Sequence, residues 1–133
     1  MTLTTTTTAD RYTASEDQTV FAYTFRVDDS DHITVYVDEV LQASGYTVSN
    51  VGVDGGGNVT FTTTPRASGA DAVVVSLIRA VPLTQSTDLP TTGAVDTASI
   101  EAELDRLVMR FQQLSEKLDR AALLPIDSTI TGL

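Results

Sequence analysis

The stretch from Ile100 to Ala121, IEAELDRLVMRFQQLSEKLDRA, constrains this chain more than any other. Apolar residues recur at Ile100, Leu104, Leu107, Phe111, Leu114, Leu118 and Ala121, in alternating steps of four and three. That spacing puts them on one stripe of an α-helix and matches the heptad repeat of a coiled coil. A lone helix cannot bury such a stripe on itself. Ile100, Leu107, Leu114 and Ala121 take the d positions, and Leu104, Phe111 and Leu118 take the a positions. The a positions hold no β-branched residue, the choice that most favours a parallel pair. Phe111 is bulky for a two-stranded seam, and Val108 and Ala122 at e widen the stripe, which points to more than two strands. The competing reading is a helix whose apolar face packs on its own domain. The length of the helix, and its separation from the rest of the chain by a polar connector, favour self-association.

The helix has legible ends. Asp96 or Thr97 supplies the N-cap, whose side-chain oxygen accepts a free N–H of the first turn. Glu101, Glu103 and Asp105 lie towards the N-terminal end, and Lys117 and Arg120 near the C-terminal end, as the helix dipole prefers. Pro125 ends the helix by Leu124. Residues 96–124 thus form a rod of roughly 40 Å at ~1.5 Å per residue.

Upstream the period changes to two. TVFAYTF (Thr19 to Phe25), HITVYVD (His32 to Asp38), YTVSNV (Tyr46 to Val51) and NVTFTTT (Asn58 to Thr64) alternate in the manner of half-buried strands. DAVVVSLIR (Asp71 to Arg79) is a more continuous apolar run and predicts a central strand buried on both faces. DDSD (Asp28 to Asp31), DGGG (Asp54 to Gly57) and PRASGAD (Pro65 to Asp71) mark turns between these runs. Five or six short strands predict a small antiparallel β-sandwich or barrel over residues 11–80. Residues 1–10 form a Thr-rich arm or an added edge strand. Residues 81–95, with Pro82 and Pro90, form an extended connector, and residues 125–133 a C-terminal extension. The predicted class is therefore mainly β, followed by a long helix in a coiled coil of more than two strands.

Charge and composition narrow the function. The formal charge of −10 opposes binding to nucleic acid or to an anionic membrane surface. With no cysteine, thiol catalysis, disulfides and cysteine metal sites are excluded. MTLTTTTTADRY has neither the basic region nor the apolar core of a signal peptide, and no apolar run approaches the length of a membrane span.

Sites of chemistry are hard to assemble. His32 is the single histidine and has no partner at metal-ligand spacing, so it is read as the start of a strand. DDSD lacks the alternating ligands, glycine and distal glutamate of a calcium loop and reads as a solvated turn. DGGGN has no following Lys-Ser/Thr and no helix, so it is no phosphate loop. No carboxylate pair is singled out as acid and base. No enzyme, metal or cofactor is expected.

The order of features resembles the N-terminal virion-anchoring module of phage tail fibre and tailspike proteins. The specific part is the connector, Arg79, Val81, Pro82, Leu83, Thr84, Gln85, Thr87, Asp88 and Leu89. It continues into the helix at Ile100, Glu101, Leu104, Asp105, Arg106, Leu107, Met109, Gln112, Gln113, Leu114, Glu116, Leu118, Arg120 and Ala121. The likeness runs from about Tyr12 to Leu124, more loosely in the β-half. It implies a structural virion protein, its helix in a parallel, trimeric coiled coil, that anchors a homotrimeric fibre to the tail or portal-adaptor complex, assembled in the host cytoplasm. Its implied partners are two further copies of itself, other tail or portal-adaptor proteins, and a distal fibre or shaft segment. Pro82, Leu83, Thr84, Gln85 and Asp88 are candidate docking or connector residues. The alternative is an oligomeric carbohydrate- or protein-binding β-sandwich. It would need an exposed aromatic platform, whereas Phe21, Tyr23 and Phe25 share one strand face and read as core.

Overall fold

The β-patterned half folds into two antiparallel sheets laid face to face, and the heptad stretch is a single helix. A computed structural model describes residues 7–84, 88–89, 93–94 and 96–121. The strands are β1 (Ala9–Thr13), β2 (Val20–Tyr23), β3 (Ile33–Val37), β4 (Val40–Gln42), β5 (Tyr46–Val48), β6 (Gly57–Phe61) and β7 (Val74–Arg79). The helix, α1, spans Thr97–Arg120. One sheet runs β1-β7-β3-β4 and the other β2-β6-β5. The architecture is mainly β with one C-terminal helix, and its two separate sheets make it a sandwich, not a barrel.

Alternation along the strands builds the core. Phe21, Tyr23, Phe25, Val35, Val59, Val75 and Leu77 are all fully buried between the sheets. Phe21 meets Phe61 edge-on, with ring centroids 5.6 Å apart, and the Tyr23 hydroxyl donates to the Ser49 carbonyl. The face shared by Phe21, Tyr23 and Phe25 is thus core. One side of the sandwich is closed by side chains: the Tyr12 hydroxyl donates to the Ala22 carbonyl at 2.6 Å, and the Thr24 N–H donates to Asp10 at 2.7 Å.

The structure differs from the sequence expectation in several places. Of the two alternatives for the N-terminal residues, arm or edge strand, the edge strand holds from Ala9, where β1 pairs with β7, while residues 1–6 lie outside those described. The three-residue β4, on the opposite edge, carries too short a pattern to be read. The fifth run is central but buried on one face only: Val75, Leu77 and Arg79 point into the core while Val74 is exposed and Ser76 and Ile78 are half-buried. His32 closes a 3₁₀ turn, Ser30–His32, just before β3. Asp29 caps this turn by accepting the Asp31 N–H at 3.0 Å. That bond holds the Asp29 carboxyl below the usual range; desolvation opposes it, and His32 and Ser30 assist. In the DGGG turn the need for glycine is steric. Gly56 has φ of +82°, and a Cβ there would stand 2.0 Å from the Tyr23 carbonyl oxygen.

The two-residue turn joining β3 to β4 uses Asp38 and Glu39 at φ of +47° and +68°. Positive φ at both positions is the type I′ geometry that suits the twist of a hairpin, yet Asn-Gly is its preferred sequence. Asp38 is retained by a second role, since its carboxylate accepts the Val74 N–H at 2.8 Å. Glu39 has no such bond among those described. Replacing Glu39 by Gly is expected to stabilise the fold by about 0.5–1 kcal/mol, the left-handed strain relieved less the added freedom of the unfolded chain. A thermal melt of the variant beside the parent checks this.

Candidate assembly interface

The helix begins where a side chain can satisfy its free N–H groups. Asp96 is the N-cap; it accepts the Ala98 N–H at 3.1 Å and the Ser99 hydroxyl at 2.9 Å. Lys117 and Arg120 occupy the last turn. The helix ends at Arg120, not Leu124. Ala121 is already extended (φ −79°, ψ 146°), and its N–H bonds the Leu118 carbonyl at 3.0 Å. Pro125 lacks the N–H that a continuing helix would aim at the Ala121 carbonyl, which fits this early stop. Ala122, at the expected e position, and the whole 125–133 extension lie outside the described residues.

The helix folds back against the β-domain, and it does so with the side opposite its apolar stripe. The face it turns inward is largely polar. Asp105, Met109 and Gln113 are buried, spaced one turn apart, with Gln112 and Glu116 half-buried beside them. The Gln113 amide accepts the Val81 N–H at 2.5 Å and donates to the Val81 carbonyl at 3.3 Å, as a neighbouring strand would. Arg79, at the end of β7, donates to the Gln112 amide oxygen and, at 3.3 Å, to the Arg26 carbonyl. Its guanidinium lies 5.9 Å from the centre of the Phe25 ring. Burial pulls the Arg79 pKa down to about 10, with Asp28 opposing, so the group stays charged at neutral pH. Arg26 bonds Asp28 at 2.8 Å and faces Asp105 at 3.6 Å. Towards the helix end, Glu116 sits between Arg11 at 3.0 Å and Arg120 at 2.7 Å. Desolvation alone would raise its carboxyl pKa, but the two arginines bring it below the ordinary value.

The apolar stripe is left on the other side. Ile100, Leu104, Leu107, Phe111, Leu114 and Leu118 are 37–69 % exposed, Phe111 the most and Ile100 the least. Val108 flanks them at 44 %, and Ala121 is exposed just past the last turn. In heptad terms the buried residues occupy b, c and f, the positions that face water in an isolated coiled coil. The β-domain takes those positions and leaves a and d free. Both faces of this helix are therefore specified, one by long hydrogen-bonding side chains and one by leucines.

The candidate connector residues divide. Val81 is buried under Gln113, while Pro82, Leu83, Thr84 and Asp88 are exposed; Gln85 lies outside the described residues. Arg110 pins this segment to the helix, with Nε donating to the Pro82 carbonyl and Nη2 to the Thr84 carbonyl, both at 2.8 Å. Its third nitrogen pairs with Glu103 at 3.0 Å. Sequence reasoning missed Arg79, Met109, Gln112 and Gln113 as contact residues. The signal was Met109, an apolar residue on the polar side, one turn from both Asp105 and Gln113.

A concavity of about 690 Å³ lies between the β4 and β5 edges, and Asp31 and Tyr46 are the ionisable residues on its wall. Among the described residues no group of three His, Cys, Asp or Glu side chains is placed to hold a metal ion. No helix among them is long and apolar enough to cross a membrane.

No protein-family model matches the chain. It is similar to the tail spike protein of Salmonella phage epsilon15, with 33 % identity over 132 residues, covering 94 % of this chain. The chain spans only 12 % of the length of that relative. The likeness relates the chain to a phage tail protein over nearly its whole length.

Proposed function

We propose that this chain is a structural module of a phage tail, mechanical and not catalytic, that anchors a homotrimeric fibre to the tail or portal-adaptor complex. The observation that carries this reading is the outward stripe from Ile100 to Leu118 on a helix whose opposite face is already fixed to the β-domain. Six large apolar side chains in heptad register want like partners, and two further copies supply them. Each one fully buried is worth roughly 1.5–3 kcal/mol, which offsets the entropy lost on association. Absence of β-branched residues at a, and the size of Phe111, favour three strands over two. The relative's designation as a tail spike protein supports the virion setting.

In this reading the β-domains flank the coiled coil, because they hold its outer positions. Three copies then face the docking partner together, and multivalency strengthens individually weak contacts. The distal end of the helix, near Ala121, leads to the fibre shaft. The chain has no part in catalysis and binds no cofactor, nucleic acid or membrane.

A reporter domain fused after residue 133 and supplied during infection by the cognate phage tests the role. The fusion is expected to co-purify with tailed particles in multiples of three per particle. A fusion that remains wholly in the soluble fraction, while native fibres assemble, would contradict it.

A further inference from the structure

The margins of the seam carry an asymmetry that the coiled-coil reading alone does not use. In a parallel coil the g flank of one helix faces the e flank of the next, and opposite charges there usually set partner and register. Here g holds Glu103, Arg110 and Lys117, and e holds Glu101, Val108 and Ser115. Across the interface Glu103 would face Val108 and Arg110 would face Ser115, so no ion pair forms. Glu103 and Arg110 are instead engaged within their own chain, 3.0 Å from each other. Arg110 does something more. By bonding the carbonyls of Pro82 and Thr84, it brackets Leu83 on both sides and fastens it to the g margin of the stripe. Leu83 is 77 % exposed, the most exposed of the large apolar residues among those described. Val108, at the opposite margin, is a 44 % exposed apolar residue where a charge would ordinarily stand.

We propose that Leu83 completes the contact between protomers: held beside one helix by Arg110, it seats against Val108 of the neighbouring copy. The occupant follows from continuity, since both residues border the same exposed stripe on opposite flanks and only a second copy brings those flanks together. A hydrophobic contact then supplies the register that e–g charges supply elsewhere. The connector becomes part of the assembly surface, and Arg110 a positioning residue for it. This inference rests on the parallel trimer proposed above.

The chain has no cysteine, so a Leu83→Cys/Val108→Cys variant of the full chain gives a clean test. Both positions are exposed, and neither carries a hydrogen bond through its side chain. The variant is oxidised mildly and run on a non-reducing denaturing gel, with its solution mass measured before oxidation. Bonds between neighbours are expected to give covalent dimers and closed trimers, while each single-cysteine variant runs as a monomer. A protein that is trimeric in solution yet yields no cross-link, or yields only a bond within one chain, overturns the Leu83–Val108 contact and leaves the trimer standing. A protein that is monomeric in solution, with a monomeric parent, overturns the seam reading itself.

Discussion

Replacing Leu107 and Leu114 together by Asp is expected to convert the assembly to monomers while leaving the β-domain and the docked helix intact. Both side chains are solvent-facing in the single chain, at 43 % and 54 % exposure. Surface substitutions of this kind typically change monomer stability by within about 0.5 kcal/mol each. In a trimer the same two positions place six carboxylates on the axis of an apolar core. Burying an unpaired carboxylate costs several kcal/mol, so the loss exceeds what the remaining layers supply. The separation of the two effects is the point. Circular dichroism should retain the helix, because Gln113, Arg79 and Arg110 hold it from the other side, while light scattering should report the loss of two-thirds of the mass. Loss of the β-fold in the variant would mean that the stripe supports the domain itself.

Replacing Gln113 by Ala acts on the opposite face. Gln113 is 8 % exposed and Val81 3 %, and the amide serves both the N–H and the carbonyl of Val81. Truncation leaves two buried backbone groups without partners. Each costs about 1–3 kcal/mol, so a destabilisation of about 2–6 kcal/mol is expected. It should be measured in the Leu107→Asp/Leu114→Asp background, where stability does not depend on protein concentration. Chemical denaturation gives the magnitude, and amide exchange at Val81 gives the place. A change below about 0.5 kcal/mol, the size of an ordinary surface substitution, would show that the helix is not fastened through this residue.

The two variants probe the two halves of what the helix sequence encodes, and those halves were not equally legible. The stripe from Ile100 to Leu118 could be read because leucine and phenylalanine at heptad spacing have one physical use. The polar side could not, because glutamine and arginine on a helix usually meet water. Gln112, Gln113 and Arg110 are buried or half-buried here only because β7 ends at Arg79 and the next residues offer unpaired backbone groups. That complementarity lies between segments distant in the chain and has no local signature. The strands show the same contrast. Val20–Tyr23 and Ile33–Val37 alternate strongly and were placed within a few residues. Ala9–Thr13 carries one aromatic, and Val40–Gln42 is three residues long; pairing with a neighbour, not their own pattern, makes them strands. The contact between helix and domain was hidden for a related reason. A polar connector reads as a spacer, and nothing in Pro82 to Thr84 alone announces that Arg110 will grip its carbonyls.

The central claim is that the outward stripe is a surface for two further copies of the chain. The solution mass of the purified chain, measured by light scattering across a range of concentrations, tests it most directly. The account predicts a species of three times the 14.2 kDa chain mass. A chain that stays at 14.2 kDa throughout the range, with its helix docked and its leucines in water, would contradict it.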